Sequence, residues 1–380
     1  MKQKPFILVS VTTVILFFVP ALLPAAPLYF SAWGFRLDLP EGYTLVEGNN
    51  KDRYSFQGSQ GGPSGARFDI AVYNGVYPDV AQLSNDIERR LGNKGDIAFF
   101  EYGTKAAALM ELRFGDSTGW GLCVELEDVN GNGVVPLLLV LSYAAGKTDM
   151  DLYHLSALDS LAPSETEKRY PGPVMEFSYP RGSSRETTIA GTNLKAMIRE
   201  NDAEAAQALV DREFALLRAY QSAPDWQEAW IRFYRMIYRD SWDRVADALS
   251  RLERDWNKGA NKRAFAEKAL VWVQGFQYER NLAGSDFVNL VSAVTEGRGD
   301  CDSRAMIWAM ILTQARIPAA MMVSRDYSHA MGLADVSGSG ARFKAGGTNW
   351  LVAETTAKVG IGSISKDMSN TASWLGVLFY

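Results

Sequence analysis

The residues of this sequence best suited to chemistry are Cys301, His329 and Glu354. Cys301 follows a glycine-rich turn and begins a helix-like run, and a helix N-terminus favours the thiolate, which is the form of cysteine that attacks. His329 is one of only two histidines in the chain and supplies a base. Glu354 supplies a carboxylate that can orient an imidazole. In this chain order the three residues predict a nucleophilic triad.

The elements around these residues predict how they meet. The apolar residues after Cys301 recur at helical spacing, and three strand-like segments follow, at 319–324, 329–336 and 348–356. If these strands form one antiparallel sheet beside the helix, His329 and Glu354 lie side by side and face the thiol. A cysteine that begins a buried helix as a small apolar residue is the alternative, because most cysteines at such positions are inert.

Residues 265–365 resemble the transglutaminase-like superfamily, the branch of papain-like thiol enzymes with a Cys–His–acid triad. Four segments carry the resemblance in the order of the family, and the second resembles its G-x-G-D-C signature. They are ALVWVQGFQYERN, VTEGRGDCDSRAMIWAMILTQARIPAAMMVS, HAMGLADV and NWLVAETTAKVGIGSI. The resemblance implies an α+β fold, with a helix bearing the cysteine packed on an antiparallel sheet.

The resemblance also implies roles for single residues. Cys301 would be the nucleophile, His329 the general base and acid, and Glu354 the group that orients the imidazole. Gln274, with the backbone N–H of Cys301, would form the oxyanion hole. Two positions depart from the family pattern: the acid is Glu where many members have Asp, and Arg316 stands where a glycine is expected.

The function that follows from this resemblance is thiol acyl transfer on amide or peptide carbonyls of a protein or peptide substrate. Hydrolysis, as in a protease or amidase, is favoured over cross-linking. No cofactor and no metal are expected. The alternative is a catalytically inactive transglutaminase-like protein of the cell envelope that acts as a binding or scaffold module.

The chain before this domain divides into four further parts by composition. Residues 1–26 are a signal peptide or N-terminal anchor, residues 30–162 an α/β module, residues 163–191 a linker rich in Pro, Gly and Ser, and residues 192–260 a helical segment. From the resemblance, residues 261–380 are expected to form the transglutaminase-like domain. The α/β module resembles the PsbP-like family of small secreted modules.

An aromatic stripe from Trp226 to Tyr238 has helical spacing and predicts core packing.

The N-terminus predicts export. Lys2 and Lys4 precede an apolar run from Phe6 to Leu23, and small alanines follow where a signal peptidase can cut. The run is also long enough to remain as a membrane tether through residues 5–23. The expected location is therefore the periplasm or the cell envelope, with or without an anchor.

Composition excludes several other classes of protein. A formal net charge of −5 argues against a nucleic-acid partner, which a basic face would bind. Two cysteines, Cys123 and Cys301, lie far apart in the chain and are expected to be free thiols.

The segment 128–133 begins like a calcium loop but has Leu139 where the loop needs a glutamate, so a hairpin turn is predicted. His154 has no partner motif and is interpreted as structural.

Overall fold

A computed structural model describes residues 26–59, 61–129, 131–146, 149–259, 261–280 and 285–379. The fold is mixed α+β and is built around two large antiparallel sheets. The predicted signal peptide or anchor lies, apart from Ala26, outside these residues. Within the described part of the chain, no helix is both long enough and apolar enough to cross a membrane.

The N-terminal part is a seven-stranded antiparallel sheet in the order β3-β4-β5-β9-β8-β7-β6, with a short β1–β2 hairpin beside it. Its elements are β1 (Leu28–Phe30), β2 (Phe35–Leu37), β3 (Tyr43–Gly48), β4 (Arg53–Gly58), β5 (Ala66–Tyr73), α1 (Val80–Leu91), β6 (Ile97–Tyr102), β7 (Lys105–Phe114), β8 (Ser117–Glu125), β9 (Leu137–Ala145) and α2 (Asp151–Asp159). Helices cover both faces of the central strands, because Leu137 and Leu139 pack with α1 whereas Leu138 and Val140 pack with α2.

Two strands of this sheet, β4 and β6, were not predicted. The sequence of β4, RYSFQG, is largely polar, and pairing with β3 and β5 holds it in the sheet. The predicted hairpin at 128–133 is confirmed, since β8 and β9 pair antiparallel on either side of it. The carboxylate of Asp128 accepts a hydrogen bond from the backbone N–H of Gly133 (2.6 Å). Across the described residues, no cluster of His, Cys, Asp and Glu has the arrangement of a metal site.

The other cysteine and the other histidine are both buried. Cys123 is a free thiol on β8, and burial raises its pKa to about 12. The Nδ1 atom of His154 lies 2.8 Å from Ser142 Oγ, and burial lowers the pKa of this imidazole to about 4. Both groups are therefore uncharged at neutral pH and belong to the packing of the N-terminal part.

Residues 163–191, expected to be a linker, contain secondary structure and a buried stretch, whereas residues 180–186 are exposed. They contain α3 (Pro173–Ser178) and β10 (Ser184–Thr188), and the segment from Pro171 to Glu176 is buried. The hydroxyl of Tyr102 donates to the carbonyl of Pro171 (2.7 Å), and the carboxylate of Asp159 accepts from the N–H of Met175 (2.9 Å). Proline and glycine here shape a turn and the start of a helix, which their frequency alone does not distinguish from a linker.

The predicted helical segment consists of β11 (Lys195–Arg199), which pairs with β10, and two helices, α4 (Asp202–Ala219) and the long α5 (Trp226–Trp256). Ion pairs shielded from solvent join these helices to the N-terminal part. Arg212 contacts Asp159 (2.6 Å), and Arg235 contacts Asp38 (2.7 Å). Because breaking such pairs leaves a buried charge uncompensated, they resist separation of the two parts.

The C-terminal part contains a five-stranded antiparallel sheet in the order β16-β17-β15-β14-β18. Its elements are α6 (Lys262–Gln274), β12 (Gln277–Tyr278), α7 (Leu290–Glu296), β13 (Arg298–Gly299), α8 (Cys301–Gln314), β14 (Ala319–Ser324), β15 (His329–Ala334), β16 (Arg342–Ala345), β17 (Thr348–Ala353) and β18 (Leu375–Val377). One hydrophobic cluster holds side chains of this part together with those of α4 and α5. The predicted boundary near residue 260 therefore does not separate two cores.

Candidate active site

Cys301 is the first residue of α8, and the local sequence explains why the helix begins there. Gly297 has a left-handed backbone (φ 69°) that ends α7 and turns the chain. Asp300 then caps α8, and its carboxylate accepts a hydrogen bond from the N–H of Ser303 (2.8 Å). As a residue of the first turn, Cys301 has a backbone N–H without an acceptor inside the helix. That N–H is available to a negatively charged oxygen.

The packing of α8 on β15 brings the start of the helix to the start of the strand. The fully buried Trp308 lies against Gly332, where an added Cβ would come within 2.3 Å of the indole ring. Cys301 precedes Trp308 by about 10 Å of helix, and His329 precedes Gly332 by about 10 Å of strand. This contact is one of several between α8 and β15, and together they hold the helix that begins at Cys301 against the strand that begins at His329.

His329 and Glu354 are in direct contact. Gly332 pairs with Ala353 in the antiparallel register of β15 and β17, so Glu354 becomes a diagonal neighbour of His329. The Nε2 atom of His329 lies 2.8 Å from Oε2 of Glu354. The other carboxylate oxygen accepts hydrogen bonds from the backbone N–H (2.7 Å) and the hydroxyl (2.6 Å) of Thr356.

These contacts settle the charge of Glu354 and the tautomer of His329. Burial acts to raise the pKa of Glu354, but the hydrogen bonds from His329 and Thr356 outweigh it and lower the pKa to about 2. The ionised carboxylate accepts a hydrogen bond from Nε2–H, so the lone pair of the neutral imidazole is on Nδ1. Nδ1 is therefore the ring atom that can take a proton from a nucleophile.

The sulfur of Cys301 lies beside the strand that carries His329. The backbone N–H of Ala330, the next residue, lies close enough to the sulfur to act to lower the pKa of the thiol. Ala330 packs in the cluster shared with α8, whereas Met331 packs in the cluster on the other face of the sheet. His329 is the first residue of β15, and its ring lies at the end of the sheet, 6.4 Å from the ring of Trp374.

Gln274, expected in the oxyanion hole, has another role in this geometry. Its side-chain nitrogen donates to the backbone carbonyls of Glu354 (2.8 Å) and Val359 (2.9 Å). Both amide hydrogens are thereby used, and neither is free for a substrate oxygen. Gln274 instead braces the loop that presents Glu354 to His329.

Two carboxylates next to Cys301 were not predicted to belong to the site. Asp302 accepts a hydrogen bond from the hydroxyl of Tyr234 (2.8 Å), and its other oxygen lies 3.8 Å from the Cys301 sulfur. Asp300 is buried, and one of its oxygens has no hydrogen-bond partner. Burial and then the charges of Asp302 and Asp300 raise the pKa of the Cys301 thiol, against the effect of the Ala330 N–H.

The aromatic stripe on α5 is core along most of its length, and its first residues border the site. Phe233, Tyr234 and Tyr238 are buried as predicted, whereas Trp226 and Trp230 are partly exposed. The indole N–H of Trp230 donates to the hydroxyl of Tyr234 (3.2 Å). The only sequence signal for the connection between α5 and the site is helical spacing. Such spacing does not show which residue α5 packs against.

The assembled groups are a cysteine at a helix N-terminus, an imidazole with its lone pair on Nδ1, and an ionised glutamate that holds the imidazole. This set has the components that nucleophilic acyl transfer requires. Comparison with family models and with curated proteins found no match to this chain.

Proposed function

We propose that this protein is a thiol enzyme of the transglutaminase-like superfamily, with a papain-like domain at residues 261–380. It would transfer the acyl group of an amide or peptide carbonyl to Cys301 and then to water, as a protease or amidase. The observation that carries the proposal is the hydrogen bond between His329 Nε2 and Glu354 Oε2, made beside a cysteine at a helix N-terminus. The α+β fold, with the Cys301 helix against an antiparallel sheet, is compatible with it.

The reaction would begin with a thiol rather than a preformed thiolate, because the pKa of Cys301 is raised. The sulfur attacks the carbonyl carbon while its proton passes to Nδ1 of His329. The carbonyl oxygen becomes an oxyanion, and the backbone N–H of Cys301 at the helix N-terminus stabilises it. When the C–N bond breaks, the proton on Nδ1 passes to the departing amine and an acyl-enzyme remains.

Hydrolysis of the acyl-enzyme would follow the same route in reverse. A water molecule gives a proton to Nδ1 as its oxygen attacks the thioester, and the proton returns to the sulfur when the C–S bond breaks. Glu354 remains ionised throughout and stabilises the imidazolium. An amine in place of water would give a cross-link. The apolar run at residues 6–23 supports export to the periplasm or cell envelope as part of the proposal.

A second function, a binding or scaffold module without turnover, is favoured by two observations. Cys301 is only 2% exposed, and its S–H group donates to Asp302 rather than to the imidazole. In this reading the triad would maintain the shape of a peptide-binding cleft. The two functions differ in whether covalent chemistry occurs on Cys301.

The test is incubation with synthetic peptides that contain glutamine and asparagine, in the presence and absence of hydroxylamine. New peptide termini would show a protease, side-chain deamidation an amidase, and hydroxamates a trapped acyl group. We expect Cys301→Ala to abolish every product and Cys123→Ala, which removes the other buried thiol, to retain them. Peptide binding without any product or Cys301 adduct in the wild-type protein would refute the enzyme and support the binding module.

A further inference from the structure

The thiol of Cys301 has two neighbours that compete for its proton. One is His329, because the proposed reaction passes the thiol proton to its Nδ1 atom. The other is Asp302, whose Oδ2 atom lies 3.8 Å from the sulfur, a hydrogen-bonding distance for sulfur. Asp302 is not free to turn away, because its Oδ1 atom accepts a hydrogen bond from Tyr234 (2.8 Å) on α5.

We infer that Asp302 keeps the proton of Cys301 on the sulfur in the resting protein and that Tyr234 fixes Asp302 in the position where it does so. A negative charge next to the sulfur disfavours a second negative charge on it. A hydrogen bond from S–H to the carboxylate stabilises the protonated thiol further. The inference rests on the proposed function only in that Cys301 is the nucleophile there.

The other charged and titratable groups around the thiol come from every element that packs near it. They are Asp300 and Arg304 on the same helix or its cap, His329 on β15 with Glu354 after β17, Tyr234 on α5, Tyr278 on β12, and the Arg280–Asp286 pair. Glu354 is hydrogen-bonded to His329 (2.8 Å), and Arg280 is paired with Asp286 (2.7 Å). Asp300 and Asp302 are the acidic groups left beside the sulfur.

Burial raises the pKa of both carboxylates, and that of Asp300 further, so Asp302 is the more readily ionised of the two. Asp302 accepts hydrogen bonds from Tyr234 and Cys301, and such bonds favour the charged form. Asp300 is buried with one oxygen unsatisfied, and burial raises its pKa well above the usual range, so it carries a proton more readily. Asp302 therefore supplies the charge that acts on the sulfur, and Tyr234 is a positioning residue.

Tyr234 lies outside the part of the chain that resembles the transglutaminase-like superfamily. Its contact makes α5 part of the site, in agreement with the single hydrophobic cluster that α5 shares with α8. Catalysis then requires the S–H bond to turn from Asp302 to Nδ1 of His329. The resting protein is protected from alkylation and oxidation, since the thiolate is the reactive form.

The test is the pH dependence of iodoacetamide labelling of Cys301 in the purified full chain, with the labelled residue identified by mass spectrometry. The wild-type midpoint is expected above that of a free thiol, about 8.5. In Asp302→Asn, which keeps an oxygen for Tyr234, we expect the midpoint to fall by about one unit or more, so that labelling below both midpoints is at least about tenfold faster. A midpoint equal to or above that of the wild type would overturn the inference.

Matched variants separate this effect from general perturbation. Asp335→Asn makes the same change at an exposed position just beyond the far end of β15, and its midpoint should equal that of the wild type. Tyr234→Phe should lower the midpoint by less than Asp302→Asn, and Tyr238→Phe, one turn further along α5, should not change it. Equal midpoints in Tyr234→Phe and the wild type would refute the positioning role.

Failure of this inference and failure of the proposed function give different results. Labelling needs no substrate. If the labelling midpoint of Asp302→Asn equals that of the wild type while the wild-type protein turns over peptides, only the role of Asp302 is overturned. A shifted midpoint in a protein that forms no acyl-enzyme overturns only the enzymatic function.

Discussion

The indole of Trp308 on α8 occupies the space that a side chain on Gly332 of β15 would need. The indole N–H also donates to the backbone carbonyl of Ala266 on α6 (3.0 Å), which fixes the ring from the other side. This contact sets the distance between the helix that carries Cys301 and the strand that carries His329. The geometry of the site therefore depends on a glycine that takes no part in the chemistry.

Gly332→Ala is expected to push α8 away from β15. The new methyl would lie 2.3 Å from a ring carbon, and overpacking of a close-packed core costs about 1–3 kcal/mol. Urea unfolding should show this loss, and peptide turnover should fall with it because Cys301 and His329 separate. Gly360→Ala, where an added Cβ meets nothing within 4 Å, is the control and should leave both unchanged. A variant with wild-type stability would show that the contact is not tight.

Glu354→Gln is expected to impair turnover much more than binding of a peptide. The neutral amide does not stabilise an imidazolium and can hold the ring in the wrong tautomer, so we expect a loss of roughly 10²- to 10⁴-fold in kcat. Steady-state kinetics on a peptide that the wild-type protein turns over measures it. An unchanged kcat would remove Glu354 from the mechanism.

The same variant should change how stability depends on pH. The pKa of Glu354 in the folded protein is about 2, below its ordinary value of 4.5. The contribution to stability is therefore present above pH 4.5 and is lost as the pH falls from 4.5 towards 2. In the wild type this contribution should delay acid unfolding, followed by circular dichroism, to a lower pH. Glu354→Gln lacks the contribution, so its acid unfolding should start at a higher pH. An identical acid dependence in both proteins would contradict the hydrogen-bonded ion pair.

Gln274→Leu separates a bracing role from an oxyanion-hole role. Loss of the amide leaves the carbonyls of Glu354 and Val359 without their donor, which should cost about 1–3 kcal/mol in the free energy of unfolding. Chemical denaturation measures this, and turnover should fall as the loop bearing Glu354 loosens. Wild-type stability together with a large loss of kcat would instead indicate a direct contact with the substrate oxygen.

Glu41 makes the junction between the N-terminal part and the helices sensitive to pH. Burial raises its pKa to about 7, against the charge of Arg232, and its backbone carbonyl accepts a hydrogen bond from Tyr220 (2.8 Å). Between pH 4.5 and 7 the folded protein binds more protons at this carboxyl than the unfolded chain, so stability falls as the pH rises through that window.

Glu41→Gln should remove this fall. Thermal unfolding at pH 5 and pH 8 is expected to show a smaller loss at pH 8 in the variant than in the wild type. Glu47→Gln on β3, an exposed glutamate, serves as the control and should follow the wild type. A wild-type pH dependence in Glu41→Gln would show that this carboxyl is not buried in its uncharged form.

The sequence pattern predicts four elements of the C-terminal part, and it does not predict α7, β12, β13, β16 or β18. Apolar spacing after Cys301 predicts α8, and alternation predicts β14, β15 and β17. Once adjacent strands pair, register alone makes His329 and Glu354 neighbours, because side chains alternate with a period of two. The pattern of each strand is local information, whereas the register that makes His329 and Glu354 neighbours comes from the pairing of β15 with β17.

Packing between elements far apart in the chain determines which groups surround the thiol. Asp302 is next to Cys301 in the chain, yet its contact with Tyr234 spans 68 positions and depends on how α5 packs. Gln274 likewise braces a loop 80 residues away. The segment 163–191 is rich in Pro, Gly and Ser like a linker, yet Pro171 and Met175 within it are held by hydrogen bonds to Tyr102 and Asp159. Spacing along a chain shows which face of a helix or strand a residue occupies. It does not show which other element packs against that face.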